Sequence, residues 1–251
     1  GQSFPGRWNV PGHAAAHQLA AMGASVVLVA RNEEKLQHAV KNLAQAHSQH
    51  SWIKADFGIP EEVDALVEQL KDKKVSILVN NTGGPASGKI TTAKADEFIA
   101  AFNNHLITNH KITLAVMASM KQGGYGRIIN VISTSVKQPL PNLGVSNTIR
   151  GAVASWAKTM ANELGAFGIT VNNVLPGATA TQRLENIIAG KAASTGLDTE
   201  VVSHEMSKEI PAGRFAKPEE IAYAIGFLAS PYAAYINGIN LPVDGGRTSS
   251  L

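Results

Sequence analysis

The sequence predicts one three-layer α/β domain built on a doubly wound parallel sheet, and three observations support that fold class. Apolar stretches of strand length, rich in Val and Ile, recur along the chain. Helix-length amphipathic segments separate them, the pattern of successive β-α-β units. The apolar stretches run continuously rather than alternating with polar residues, as strands covered by helices on both faces do.

In chain order, strands are expected at 25–30 (SVVLVA), 51–55 (SWIKA), 75–80 (VSILVN), 127–132 (RIINVI), 169–175 (ITVNNVL) and 238–243 (GINLPV). Helices are expected at 12–22, 33–47, 60–72, 94–121, 144–165 and 217–229. No repeat or low-complexity linker interrupts this rhythm, so residues 1–251 read as a single domain. The exception is 178–215, a polar, partly helical excursion after the strand ending at Leu175. Loops longer than about 15 residues are uncommon unless functional or disordered, so this segment is expected to act as a lid.

Composition removes several function classes. The 251 residues can bury a large core, so no structural metal is needed for stability. The absence of cysteine excludes disulfides, thiolate nucleophiles and Cys-type metal sites, and no metal is expected. A net charge of +3 spread over scattered Lys and Arg gives no basic stripe for nucleic acid. The apolar runs fall well short of the roughly 20 residues of a membrane span. The opening GQSFPGRWNVPG lacks a basic region followed by an apolar run, so a soluble, cytoplasmic protein is expected.

The chemistry sits in short motifs at strand ends: KADF at 54–57, ILVNNTGG at 77–84, GRIINVIS at 126–133, VNNVLPGATAT at 171–181 and INLPVDGG at 239–246. In this order and spacing they resemble the short-chain dehydrogenase/reductase family, and are similar to its β-ketoacyl-acyl-carrier-protein reductase members. The resemblance runs from about residue 12 to the C-terminus. It implies a Rossmann-like fold and NAD(P)-dependent oxidoreduction of a carbonyl, with a 3-oxoacyl thioester among the substrates. Ligands of such sheets bind beyond the carboxyl ends of the strands.

By that resemblance, Asp56 would accept a hydrogen bond from an adenine amino group and Phe57 would flank the ring. From the residues alone, Asp56 also reads as a helix N-cap. Asn80, Thr82 and Gly83 would lie along the cofactor ribose, the glycine admitting close backbone approach. Pro176, Gly177 and Thr181 would border the nicotinamide, with Thr179 able to replace Thr181. At the end of the second strand of the family fold, Arg31 offers paired donors to a ribose 2′-phosphate, which favours NADP over NAD. The resemblance also implies a homo-dimer or homo-tetramer built on two long helices, about 104–121 and 144–165, and on the last strand.

Two departures from the family pattern stand out. The first is the Gly-rich turn, where PGRWNVPGHAAA keeps outer glycines at Gly6 and Gly12 but has Val10 at the middle position. That adds bulk where a pyrophosphate would approach the helix N-terminus. Permissible codons for Gln2–His13, read one base later, spell Lys-Ala-Phe-Leu-Val-Gly-Gly-Thr-Ser-Arg-Gly-Met, a good strand and glycine turn. A local frame shift in the gene or its record is the expectation this raises, resting on synonymous codons selected to fit, and the nucleotide sequence tests it.

The second departure concerns the proton donor. The family has a Ser at the strand end, a Tyr thirteen residues on, and a Lys one helical turn later. Ser133 fits the first place; Ser146 and Arg150 occupy the other two. The helical Asn that orders a water in the family corresponds nearest to His105, with Asn104 one step away. Tyr125 precedes its strand and is expected at the opposite edge of the sheet. Lys137 on the following loop can donate a proton or stabilise an oxyanion, and His105 can act near neutral pH. Each also reads as an ordinary loop lysine or a structural helix histidine. Arg150 can hold the ribose or an anionic substrate but cannot shed its proton. The expected activity is reduction of a carbonyl with a rearranged site; the alternative is a non-catalytic sensor or assembly protein that binds a nucleotide or acyl ligand.

Overall fold

The computed structural model describes residues 11–44 and 49–250. The sequence-based expectations for Gly6, Val10 and the turn around them lie outside the described residues. Within them, β1 (Val27–Ala30) pairs in parallel with β2 (Ser51–Lys54), and β3 (Ile77–Asn80), β4 (Gly126–Val131), β5 (Ile169–Pro176) and β6 (Asn240–Val243) form a parallel sheet in that order.

Alternate side chains of the strands enter two cores. On one face, Ile128, Ile169 and Val171 pack with α3 (Pro60–Lys71), α5 (Thr108–Gly123) and α6 (Gly144–Leu164), where Ala157 and Ala161 let α6 lie close. On the other, Ile129, Val131 and Val174 meet α1 (Pro11–Ala21) and α9 (Pro218–Ala229) through Leu19, Ile221 and Ile225. This is the three-layer arrangement that the apolar pattern requires.

Helix starts follow local chemistry. The Asn32 side chain accepts from the Lys35 N–H at 2.9 Å to open α2 (Glu33–Lys41). Pro60 and Pro218 begin α3 and α9, each followed by two glutamates that complement the helix dipole.

Two helices differ from the sequence-based expectation, and the first, expected over 33–47, ends at Lys41. The helix expected over 94–121 is α4 (Ala95–Phe102) and α5 joined by a single π turn, Asn103–Ile107. There Thr108 Oγ1 donates to the Asn103 carbonyl at 3.0 Å, and the wider turn re-aims the side chains it carries. The excursion over 178–215 holds two helices, α7 (Gln182–Thr195) and α8 (Thr199–Lys208). Its root is closed by two backbone bonds of 2.9 Å, Ala180 N–H to Ala216 O and Ala216 N–H to Ala178 O.

A chain of side-chain amides crosses the sheet beneath α5 and α6. Asn80 Nδ2 donates to Asn130 Oδ1 at 2.9 Å, Asn130 Nδ2 to Asn173 Oδ1 at 2.9 Å, and Asn173 Nδ2 to Asn240 Oδ1 at 2.8 Å. These four residues are paired neighbours in the strand register. Replacing Asn130, which is 0% exposed, by Ala leaves a donor of Asn80 and an acceptor of Asn173 buried without partners. At about 1–3 kcal/mol for each orphaned group, Asn130→Ala should cost about 2–6 kcal/mol, and Asn240→Ala at the ladder's end clearly less. Urea unfolding midpoints at unchanged m-value measure both; equal losses would show the ladder does not act as a chain.

Candidate active site

The crevice lies where β3, β4 and β5 end. Beyond Asn80 the chain runs through Asn81, Thr82, Gly83 and Gly84; beyond Val131 it reaches Ser133; and β5 ends at Pro176 before Gly177. A Cβ on Gly83 would meet nothing within 4 Å, so that side of the segment is open to an approaching ligand. A Cβ on Gly177 would sit 2.7 Å from Asp244 Cα, and only glycine lets the ends of β5 and β6 approach this closely. Gly12 likewise packs α1 onto Asn81, whose Nδ2 would lie 2.4 Å from an added Cβ.

Ser133 is half-buried and extended, and its Oγ accepts from the Ser135 N–H at 3.1 Å. Accepting there leaves its own hydroxyl proton to donate. Ser146 is buried in the first turn of α6, and Arg150 follows one turn later. The Arg150 side chain is only 6% exposed; Nη1 donates to Val131 O and Nη2 to Thr82 O, each at 3.3 Å. Burial first, and the Arg183 charge second, push this guanidinium down to about 10. It therefore stays protonated at neutral pH.

The π turn aims His105 into the same place. His105 is 2% exposed, and its Nδ1 is hydrogen-bonded to Thr82 Oγ1. Burial, then the charges of Arg150 and Arg183, push its imidazole down to about 3, so it is neutral at any ordinary working pH. A neutral His105 offers one donor and one acceptor nitrogen rather than a cationic acid. Asn104, its neighbour in the π turn, is half-buried and lines two cavities, of about 460 and 260 Å³.

The other sequence-identified residues fall as follows. The Asp56 carboxylate accepts from the Gly58 N–H at 2.9 Å, tightening the turn after β2, and Phe57 packs on the α3–α5 core while lining the larger cavity. Arg31 is exposed just past the end of β1. Thr181 Oγ1 caps α7 by accepting from Leu184 N–H at 3.3 Å and donates to Thr179 O at 3.2 Å; Thr179 Oγ1 donates to Gly177 O at 3.0 Å. Lys137 closes the short turn after Ser133 and is half-buried. Tyr125 lies at the amino end of β4, its hydroxyl donating to Ala229 O at 2.8 Å. The remaining tyrosines, Tyr223, Tyr232 and Tyr235, are exposed on or just after α9, so no phenol accompanies Ser133 in the crevice.

Arg183 joins the crevice without standing in any of the sequence motifs. It stands near the start of α7, with Nη2 3.4 Å from Pro85 O and its guanidinium against Gly84. The only sequence signal was a basic residue directly after the Thr-rich end of β5.

Parallel strands with an amide-, glycine- and guanidinium-lined crevice at their carboxyl ends define a doubly wound protein of the dinucleotide-fold class. The chain belongs to the short-chain dehydrogenase/reductase family: the family model described as enoyl-(acyl carrier protein) reductase matches residues 12–248. It is 32% identical over 240 residues to the short-chain reductase protein NovJ of Streptomyces niveus, covering 94% of this chain and 89% of the relative. It is 33% identical over 239 residues to the 3-oxoacyl-[acyl-carrier-protein] reductase FabG of Vibrio cholerae, covering 94% and 91%. The L-sorbose reductase of Gluconobacter frateurii complexed with NADPH and L-sorbose superposes with a TM-score of 0.90 at 30% identity, covering 97% of this chain and 94% of that one. An actinorhodin polyketide ketoreductase with NADPH superposes with a TM-score of 0.88 at 28% identity, covering 96% and 94%. Among the described residues, no helix is long and apolar enough to cross a membrane.

The buried imidazole makes stability depend on pH. Its folded value of about 3 lies below the ordinary 6.5, so between those limits the unfolded chain binds the extra proton. Stability therefore falls as pH drops from 6.5 towards 3, by up to about 1.4 kcal/mol per pH unit from this one site. His105→Asn should flatten that slope, and urea unfolding across the interval measures it. The same slope in both proteins would contradict the buried neutral state.

Proposed function

We propose that the protein reduces a carbonyl compound with NADPH in a site whose usual phenol and ammonium are replaced by Ser146 and Arg150. The observation that carries this reading is the convergence of the open Gly83 segment, the Ser133 hydroxyl and the Pro176–Gly177 turn at the strand ends, in a chain whose relatives bear reductase names. Relatives named for 3-oxoacyl-acyl-carrier-protein reduction make a 3-oxoacyl thioester the first substrate to assay.

The residues present fit the cofactor. A dinucleotide needs close backbone approach beside its ribose, and Gly83 leaves that space open. Asn80, Thr82 and Gly83 would line the ribose, Pro176, Gly177 and Thr181 the nicotinamide, Asp56 and Phe57 the adenine, and Arg31 a 2′-phosphate. When bound, NADPH supplies a hydride. Ser133 donates a hydrogen bond to the substrate carbonyl oxygen, and the buried Arg150 cation favours negative charge developing nearby. Neither Ser133 nor Ser146 approaches the acidity of a phenol. General acid catalysis typically supplies about 10² to 10⁴ in rate, about 3–5 kcal/mol, so turnover is expected to be slow. Lys137 lies on the loop after Ser133 and offers a further nitrogen donor.

The competing reading, a ligand-binding sensor or assembly protein of the same fold, draws on the same missing phenol. NADPH titration followed by NADPH oxidation with 3-oxoacyl thioesters and simple ketones separates the two: tight binding without turnover sinks the reductase. Installing the family pair by Ser146→Tyr with Arg150→Lys should raise turnover by about 10²-fold or more in a variant of unchanged circular dichroism. Arg31→Asp should shift the NADPH-to-NADH affinity ratio by about tenfold towards NADH, and an unchanged ratio would remove Arg31 from the phosphate site.

A cytoplasmic homo-dimer or homo-tetramer completes the proposal. Exposed apolar residues support the association: Leu114 on α5, Phe227 on α9, and Tyr232 and Tyr235 ahead of β6. Sedimentation at the monomer mass would oppose it.

A further inference from the structure

Residues 244–249 leave β6 and touch three walls of the crevice in turn. The segment is a tight turn: Asp244 Oδ1 accepts from the Gly246 N–H at 3.0 Å and Oδ2 from the Thr248 N–H at 2.8 Å. Its start packs on the end of β5, where the Gly177 N–H donates to Val243 O at 2.9 Å and a Cβ on Gly177 would lie 2.7 Å from Asp244 Cα. Its middle lies against the far end of the 178–215 excursion. There the Gly245 carbonyl accepts from the Ala212 N–H at 3.1 Å, and Arg247 Nη2 pairs with Glu209 Oε2 at 2.7 Å. Its end reaches the loop after Ser133, where Gln138 Oε1 accepts from the N–H and the Oγ of Ser249 at 3.3 and 3.1 Å.

These contacts differ in kind. The start and middle are fixed by backbone, and a Cβ on Gly245, whose φ is +66°, would lie 2.8 Å from Ile210 Cγ2. The two outer contacts are side-chain bonds at the surface: Gln138 and Ser249 are exposed, and the Arg247 and Glu209 side chains are 31% and 53% exposed. An exposed ion pair adds little to stability, so what matters is what it joins. Thr181 caps the start of α7 and Glu209 the end of α8, so motion of these helices over the crevice would turn about those two residues. Arg247 holds the second pivot. Gln138 belongs to the turn that carries Ser133: its N–H donates to Thr134 O at 3.1 Å, beside the 3.1 Å bond from Ser135 N–H to Ser133 Oγ.

We propose that residues 244–249 are a strap that couples the closing of α7 and α8 over the crevice to the placement of the Ser133 turn, with Arg247 and Ser249 as positioning residues. Arg247 sets the pivot at Glu209, and Ser249 holds the Ser133 turn through Gln138. Because one short turn makes both contacts, a shift at either wall is passed to the other. Its start stays fixed on Gly177, so the strap acts on the substrate side of the crevice and leaves the cofactor side in place. The inference rests on the reductase reading and adds to it residues that touch neither substrate nor cofactor.

Hydrogen–deuterium exchange on the full chain reads the coupling without turnover. Arg247→Gln should speed exchange by about threefold or more both in α8 and over residues 134–140, at unchanged circular dichroism. Gln138→Ala should do the same in both places; it is the variant of choice at that end because the Ser249 N–H survives any replacement of Ser249. Reversing the ion pair, Arg247→Glu with Glu209→Arg, should restore native exchange in both segments. In NADPH oxidation with a 3-oxoacyl thioester, each single variant should lower kcat/KM by about fivefold or more while NADPH affinity stays within about twofold. The double variant Arg247→Gln with Gln138→Ala should lose no more than the worse single one, because both break the same device. Exchange that rises only beside the substituted residue, additive losses in the double variant, or a reversed pair that restores nothing overturns the proposal. Coupled exchange in a protein that turns over no carbonyl compound would remove the reductase reading and leave the strap standing.

Discussion

The amide ladder from Asn80 through Asn130 and Asn173 to Asn240 is the constraint on which the crevice depends. Each amide donates to the next, so the four strands are held in one register by side chains as well as by backbone bonds. A slip of one residue on any strand would turn its asparagine to the opposite face and bury apolar residues against the wrong helices. Because β3, β4 and β5 carry their chemistry immediately beyond the ladder, fixing the register also fixes where Thr82, Ser133 and Gly177 stand relative to one another. A hydrophobic core alone would tolerate small sliding; a chain of buried amides does not, since each broken link strands two polar groups away from water.

Above this rigid floor the site is assembled from elements that depart from regularity. The π turn before α5 points His105 at Thr82, where an unbroken helix would give the side chain another direction. Buried beside two arginines, the imidazole stays neutral and works as a hydrogen-bonding group rather than as an acid. Arg150 completes the arrangement from α6 by bonding the carbonyls of both Val131 and Thr82, tying the end of β4 to the segment after β3. The result is an electropositive crevice that contains hydroxyls and no tyrosine side chain.

The local motifs were legible because they depend on short-range chemistry. Strand-sized Val and Ile runs and glycines at strand ends act within a few residues, and the six strands emerged where those signals placed them. The break in the helix over 94–121 was not legible, since nothing in FNNHLIT distinguishes a π turn from continuing helix by pattern alone. Thr181 shows a different limit. Its place after the PGATA turn was clear from the sequence, but its use as the cap of α7 depends on where that helix begins.

What the sequence by itself determined is the fold class, the order of motifs along the strand ends and the presence of Ser146 and Arg150 after Ser133, because periodicity and residue identity are properties of the chain. What only the tertiary structure decided is the company each group keeps. Asn130 and Asn173 look like polar interruptions of apolar strands until register makes them partners, and Arg183, over thirty residues beyond Arg150, becomes part of the same crevice only when α7 folds back over Gly84. The physical reason is that hydrogen bonding and Coulomb interactions act through space at a few ångströms, and sequence separation carries no record of that distance until the chain has packed.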